Sequence, residues 1–255
     1  MTRILFAGDI HADRSHLEYL FRVAKRFDVD VLFALGDFGY WPRNAGGQRF
    51  LKGAVKLTED SGIPLYWIDG NHEDHWALGN LTRGVRGAFI PTKVPYYDHH
   101  DNSNLLYVPR GHSWTWDGVS FMAMGGAYSV DKPSRTMGQD WFPEESLSDD
   151  DVAYGKAVGK VDVMVTHDVS SVAPILEKLL LMKGRSYKLI PEADANRRAL
   201  EEIRLAVRPD VMVHGHYHVD YKEIVDGTIF RGLDCNLSGD GFSWTIMDTR
   251  DFKDV

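Results

Sequence analysis

Short apolar runs rich in Val, Ile and Phe recur along the chain, at Ile4 to Ala7, Val31 to Leu35, Leu65 to Ile68, Val119 to Met124, Val161 to Val165 and Val211 to Val213. Each has the length and composition of a buried strand. After the first run, Leu17, Leu20, Phe21 and Ala24 fall at helical spacing behind Ser15 and Glu18, a pair that predicts a capping box. Leu200, Ile203 and Val207 predict another helix, stopped near Pro209. The first half therefore alternates strand and helix, which predicts right-handed crossovers and a mainly parallel sheet. The second half is richer in strands. Leu105 to Val108, Ser113 to Trp116 and Val119 to Met124 read as a meander turning at Asp117-Gly118, and Tyr221 to Val225 with Thr228 to Arg231 as a hairpin around Asp226-Gly227.

Two sheets packed face to face with helices outside accommodate this pattern: an α/β chain in four layers, α-β-β-α. No repeat or linker interrupts residues 1–255, so a single domain is expected, with Asp98 to Asn104 and Asp131 to Asp151 as loops within it. A length of 255 residues with 44% hydrophobic content supports an extensive core. The longest apolar stretch, around Ile175 to Met182, is broken by Glu177 and Lys178 and falls short of a membrane span. Ile4 to Phe6 is too short for a signal-peptide core. A single cysteine, Cys235, rules out an internal disulfide framework. A cytoplasmic protein is the expectation.

The polar residues that end the strands carry the chemistry. The first run ends in Gly8-Asp9-Ile10-His11, the second in Gly36-Asp37, the third in Asp69-Gly70-Asn71-His72-Glu73. Val161 to Val165 ends in Thr166-His167-Asp168, and Val211 to Val213 in His214-Gly215-His216. Five strands thus deliver Asp, His or Asn just past their carboxyl ends, the edge at which open α/β sheets build ligand sites. Carboxylate, imidazole and amide donors without thiolate suit divalent cations of borderline hardness, and their number suffices for two centres.

In order, these blocks resemble those of the calcineurin-like metallophosphoesterases: Asp-x-His, Gly-Asp, Gly-Asn-His-Asp/Glu, a single His and Gly-His-x-His. Read with His214-Gly215-His216 as the last block, the resemblance spans residues 9 to 216 and implies a double β-sandwich flanked by helices. It implies that Asp9, His11 and His216 hold one metal, that Asn71, His167 and His214 hold the other, and that Asp37 bridges them. Mn²⁺ is the expected ion, with Fe, Zn, Co or Ni as alternatives. Cations about 3.5–4 Å apart would share a hydroxide that attacks phosphorus. His72, beside Asn71 and not a ligand in that family, is the implied general acid.

Departures from the pattern narrow the expectation. The protein Ser/Thr phosphatase branch continues Asp-x-x-Asp-Arg-Gly and places Arg before Gly-Asn-His, whereas Tyr40, Trp41 and Asp69 stand at those positions here. The arginine clamp for a phosphate is therefore missing. Residues Gly125 to Lys132, running on to Arg135, Trp141 and Glu144, resemble a stretch of less characterised bacterial and phage members. Tyr40 and Trp41 as a stacking surface, and Lys132 and Arg135 as phosphate contacts, complete the candidate site. A net charge of −8 disfavours a stable nucleic-acid complex and points to a small phosphorylated substrate, with a nucleotide such as a 2′,3′-cyclic nucleotide expected. A phosphomonoesterase, a nuclease and a non-catalytic binding scaffold are the competing readings, and a homo-oligomer is compatible with all of them.

Overall fold

A computed structural model describes residues 1–81, 92–93, 104–177, 190–236 and 242–252. The expected loop Asp98 to Asn104 lies outside these residues but for Asn104, and so does the apolar run Ile175 to Met182 beyond Glu177. The strands are β1 (Arg3–Ala7), β2 (Val31–Ala34), β3 (Leu65–Trp67), β4 (Thr92–Lys93), β5 (Leu105–Tyr107), β6 (Ser113–Trp116), β7 (Val119–Met124), β8 (Val163–Thr166), β9 (Val211–His214), β10 (Tyr221–Val225), β11 (Thr228–Gly232) and β12 (Trp244–Asp248). The helices are α1 (Arg14–Arg26), α2 (Ala45–Ser61), α3 (His75–Leu81), α4 (Asp149–Ala157) and α5 (Pro191–Val207).

Among the described residues the strands form two sheets, ordered β12-β1-β2-β3-β5-β4 and β10-β11-β9-β8-β7-β6. Both are mixed. β1, β2, β3 and β5 run parallel between antiparallel β12 and β4, and β7, β8, β9 and β11 run parallel between antiparallel β6 and β10. Side-chain alternation then sorts each strand into two cores. Ile4, Phe6, Phe33, Phe121, Val165 and Val213 meet between the sheets. Leu5, Ala7, Leu32 and Trp67 face α1 and α2, while Met164, Met212 and Phe230 face α5. Phe33 stacks on Trp114 at 5.8 Å and Trp114 on Phe121 at 5.4 Å, an aromatic column joining the two sheets.

The expected meander forms only in part: β6 and β7 make its hairpin, but β5 pairs with β3 and β4 in the first sheet, where its apolar run is buried as a parallel strand, and the β10–β11 hairpin forms as expected. Asp117 and Gly118 have φ of 50° and 80°, and Asp226 and Gly227 have 49° and 80°, the paired positive values of a tight hairpin turn. The start of α1 differs from expectation. Asp13, not Ser15, caps it, accepting from the backbone N–H groups of Ser15 and His16, while Glu18 pairs with Arg14. The expected loop at Asp131 to Asp151 contains short turns at Lys132–Ser134 and Pro143–Glu145, and its last residues begin α4 behind a Ser148/Asp151 capping box.

That long loop is pinned to the first sheet by Arg110. Its guanidinium donates to Asp69 Oδ2 at 2.7 and 2.9 Å, to the carbonyls of Glu144, Glu145 and Ser146, and to Asp151. Burial alone pushes the Asp69 carboxyl up, but Arg110 beside it leaves the net value below the usual range. Removing one partner of such a buried pair leaves an uncompensated charge. Arg110→Met is expected to destabilise the chain by about 3–5 kcal/mol near neutral pH. In denaturant titrations the loss should shrink as acid protonates Asp69, and a loss that does not change with pH would contradict the pairing.

Candidate metal centre

The carboxyl ends of β1, β2 and β3 lie side by side, because Ala7 pairs with Ala34 and Ala34 with Trp67. Asp9, Asp37 and Asn71 therefore leave one sheet at a common edge. β8 and β9 bring His167 and the 215–218 turn from the other sheet. Within the first edge the backbone N–H groups of Ile10 and His11 donate to Asp37 O, and across to the second His167 Nδ1 donates to Leu35 O at 2.7 Å. A Cβ at Gly70 would come within 2.2 Å of Asp37 Oδ1, and one at Gly215 within 2.3 Å of Asp9 Oδ1. Glycine is required at both positions.

Among the described residues three sets of donor atoms converge, each within 4.8 Å: Asp9 with His11 and His218, His11 with Asp37 and His72, and Asp9 with Asp37 and His167. Asp37 occurs in two of these sets and Asp9 in two. Asp37 Oδ2 lies 3.4 Å from His11 Nε2, and Asp37 Oδ1 lies 3.4 Å from His167 Nε2. Asn71 Oδ1 approaches His167 Nε2 at 3.2 Å, and the rings of His167 and His216 are 4.9 Å apart. The outer nitrogens are held in turn. His11 Nδ1 donates to Asn236 Oδ1 at 3.1 Å and Asn236 Nδ2 donates to Asp13, leaving His11 Nε2 towards the carboxylates. His11, Asp37, His216 and His218 have φ of 51°, 44°, 67° and 53°. A left-handed backbone costs a non-glycine residue about 1–3 kcal/mol, and here it falls on residues that converge at the centre.

His214 does not join them. As the last residue of β9 it follows Met212 onto the helix-facing side, where its Nε2 accepts from Tyr221 O–H at 2.6 Å and its Nδ1 donates to Gly215 O at 3.0 Å. Burial holds it neutral, at about 4. His218 takes the place expected of a ligand, with Nε2 at 2.8 Å from Asp9 Oδ2. The block therefore reads Gly215-His216-Tyr217-His218, two residues on from the expected register. That Gly-His-x-His spacing is visible in the chain itself and is the signal that identifies His218. His216 moves with it to the Asn71 and His167 side.

The other expected contacts divide. Tyr40 is buried and stacks on Trp67 at 5.2 Å, so it belongs to the core and offers no face to a ligand. Trp41 donates its indole N–H to His72 O at 2.7 Å and faces Phe142. The Lys132 ammonium sits 4.3 Å above the Trp141 ring. Arg135 does reach the centre: its Nη2 lies 2.9 and 2.7 Å from the two His72 nitrogens and 2.8 Å from Asp131. The His72 side chain is 40% exposed, whereas those of Asp9 and His167 are fully buried. His72 thus stands at the mouth.

Burial pushes the His11, His167 and His218 imidazoles down, yet Asp37 and Asp9 more than reverse this, to about 9, 10 and 11. Both carboxylates are correspondingly lowered against the effect of burial. The donor set thus fits cations: without them, protons on the imidazoles supply the charge the carboxylates need.

A family model of calcineurin-like phosphoesterases matches residues 2–220. The chain belongs to the calcineurin-like phosphoesterase family. It is a metal-dependent phosphoesterase by membership and by this donor set. Curated protein sequences gave no match. Among solved structures, TT1561 of Thermus thermophilus shares 10% identity over 98% of this chain and 96% of that one, with a TM-score of 0.61. GAP50, described as the anchor in the inner membrane complex of Plasmodium, shares 10% identity over 96% of this chain and 80% of that one, with a TM-score of 0.51. Likeness at this level shows the shared double-sandwich fold alone. No described helix is long and apolar enough to cross a membrane.

Two outcomes follow. His218→Ala is expected to lose one of two bound metal ions, by elemental analysis, while His214→Gln keeps both and costs about 1–3 kcal/mol of stability from the broken Tyr221 bond. Loss of metal in the His214 variant alone would favour the register expected from the sequence. Raised imidazole pKa values stabilise the metal-free fold fully below 6.5 and progressively less as pH climbs through about 9 to 11. Lowered carboxyl values act above 3.8 and are lost on acidification. Metal must displace those imidazole protons. Calorimetric titration of Mn²⁺ at pH 7 should therefore show an enthalpy that depends on the buffer's ionisation enthalpy; a buffer-independent enthalpy would exclude it.

Proposed function

We propose that the chain hydrolyses small phosphodiesters, 2′,3′-cyclic nucleotides among them, using Mn²⁺. The observation that carries this reading is the use made of the positions where the protein phosphatase branch keeps its arginines. Trp41 braces the His72 carbonyl and Asp69 anchors Arg110, so both serve the scaffold and neither presents a guanidinium to phosphate. A monoester dianion gains most from a bidentate clamp, whereas a diester carries one negative charge and needs less. Among the described residues Arg135, held by Asp131, is the cation in contact with His72.

When bound, two divalent ions neutralise phosphoryl oxygens and acidify water. Asp9, His11, Asp37 and His218 would hold one ion, and Asp37, Asn71, His167 and His216 the other. His72, half-exposed at the mouth of the site, would supply the proton that a leaving alkoxide needs. Burial and the Arg135 guanidinium lower its pKa, Asp37 notwithstanding, which makes the protonated ring a stronger acid.

Under matched Mn²⁺, kcat/KM for bis-p-nitrophenyl phosphate is expected to exceed that for p-nitrophenyl phosphate by at least about tenfold, and chelation should abolish both. His72→Ala should lower kcat by about 10²–10⁴-fold with both metals retained. A preference for the monoester would overturn the diester reading, salt-sensitive polynucleotide cleavage would make the protein a nuclease, and no turnover of any ester would leave a binding scaffold.

A further inference from the structure

Asn71 presents a problem of polarity. A carboxamide has one oxygen and one nitrogen of nearly equal size, and a half-turn about its last bond exchanges a metal-binding oxygen for an N–H₂ group that repels cations. Packing alone does not distinguish the two. Hydrogen bonds do.

Asn71 Nδ2 donates to Ser129 Oγ at 3.1 Å, and Ser129 Oγ donates to Glu145 Oε2 at 2.7 Å. Glu145 Oε1 accepts from the Ser129 backbone N–H at 2.6 Å and from Trp141 Nε1 at 3.0 Å. Ser129 is fully buried and Glu145 and Asn71 nearly so, so water does not compete for these bonds. Glu145 is fixed from behind: its carbonyl accepts from Arg110 Nη2 and from the Ala127 N–H. The hydroxyl has a single proton, and the carboxylate takes it. Ser129 is left able only to accept, so the Asn71 amide must turn its nitrogen to Ser129 and its oxygen inward, towards His167.

We infer that Glu145 and Ser129 are positioning residues that set the orientation of the Asn71 amide and thereby complete the second metal position. The segment from Gly125 to Glu145 is then a support for the Asn71-His72 pair: Glu145 acts on Asn71 through Ser129, and Arg135 touches His72. This inference rests on the two-metal reading of the site.

The test is calorimetric titration of Mn²⁺ into the metal-free chain, with the electron paramagnetic resonance signal of the coupled ion pair as a second readout. Ser129→Ala removes the acceptor. Glu145→Gln puts an N–H₂ donor against Ser129 and frees the hydroxyl proton to face Asn71. In each, one ion should bind as in the wild type, the other about 10–100-fold more weakly, and the coupled signal should fade. Glu144→Gln, an exposed neighbour, should change nothing. Asn71→Asp in the Ser129→Ala background should recover the second ion, because a carboxylate binds by either oxygen. If Ser129→Ala does not fold, the near-isosteric Glu145→Gln carries the test.

Wild-type affinity for both ions in the variants overturns the inference and leaves the two-metal reading intact. So does equal weakening of both ions, or a failure of Asn71→Asp to recover the second, since either marks a general structural role. A wild-type chain that binds fewer than two ions removes the two-metal reading and the relay together.

Discussion

Two carboxylates buried at the meeting of two sheets dominate this molecule. Asp9 and Asp37 have almost no exposure, and a charge so placed costs several kcal/mol unless opposite charge and hydrogen bonds surround it. The surrounding structure meets that demand with imidazoles and backbone N–H groups. His216 N–H and His218 Nε2 serve Asp9, while His72 N–H, His11 and His167 serve Asp37. The strained turns at the strand ends follow from the same demand, since they aim these groups inward. A site arranged this way is selective for cations before any ligand geometry is considered.

Around that charge lies a set of polar chains that control direction. His167 is set by Leu35 O, His11 by Asn236 and Asp13, Asn71 by Ser129 and Glu145. Asp13 also caps α1, so the orientation of His11 is tied to the start of that helix. Precision at the centre therefore derives from groups with fixed donor and acceptor roles, two of them the carboxylates of Asp13 and Glu145, which lie outside the ring of atoms that compensates Asp9 and Asp37.

Much of this is legible in the chain because buried parallel strands are continuous apolar runs, and the residue types that end them stand out. The Asp-Gly hairpins are legible for a similar reason, since few residues tolerate both positions. The run His214-Gly215-His216-Tyr217-His218 is harder. It holds three histidines at alternate positions, and choosing among them requires knowing that β9 continues through His214 and turns it to the helix side. Tyr40 misleads because an aromatic beside a ligand looks the same whether it stacks on a substrate or on Trp67. Asn236, Ser129 and Glu145 give no local sign, for they act across separations of 225, 58 and 16 residues. β12 has no side chain fully buried, so no apolar run announces it.

The pairing of β12 with β1 has a consequence for how the protein comes into being. Arg3 lies opposite Asp248, so β1 leaves the ribosome long before its outer neighbour is made. Asn236, which orients His11, is a similarly late arrival. Asp9 and His11 are thus translated early but meet His216, His218 and Asn236 only after the long stretch of chain between them has been made and has closed. Closing the first centre therefore waits on partners far down the chain, 209 residues on for His218 against Asp9 and 225 for Asn236 against His11, so a nascent chain halted before them would carry both early residues without the groups that complete their surroundings.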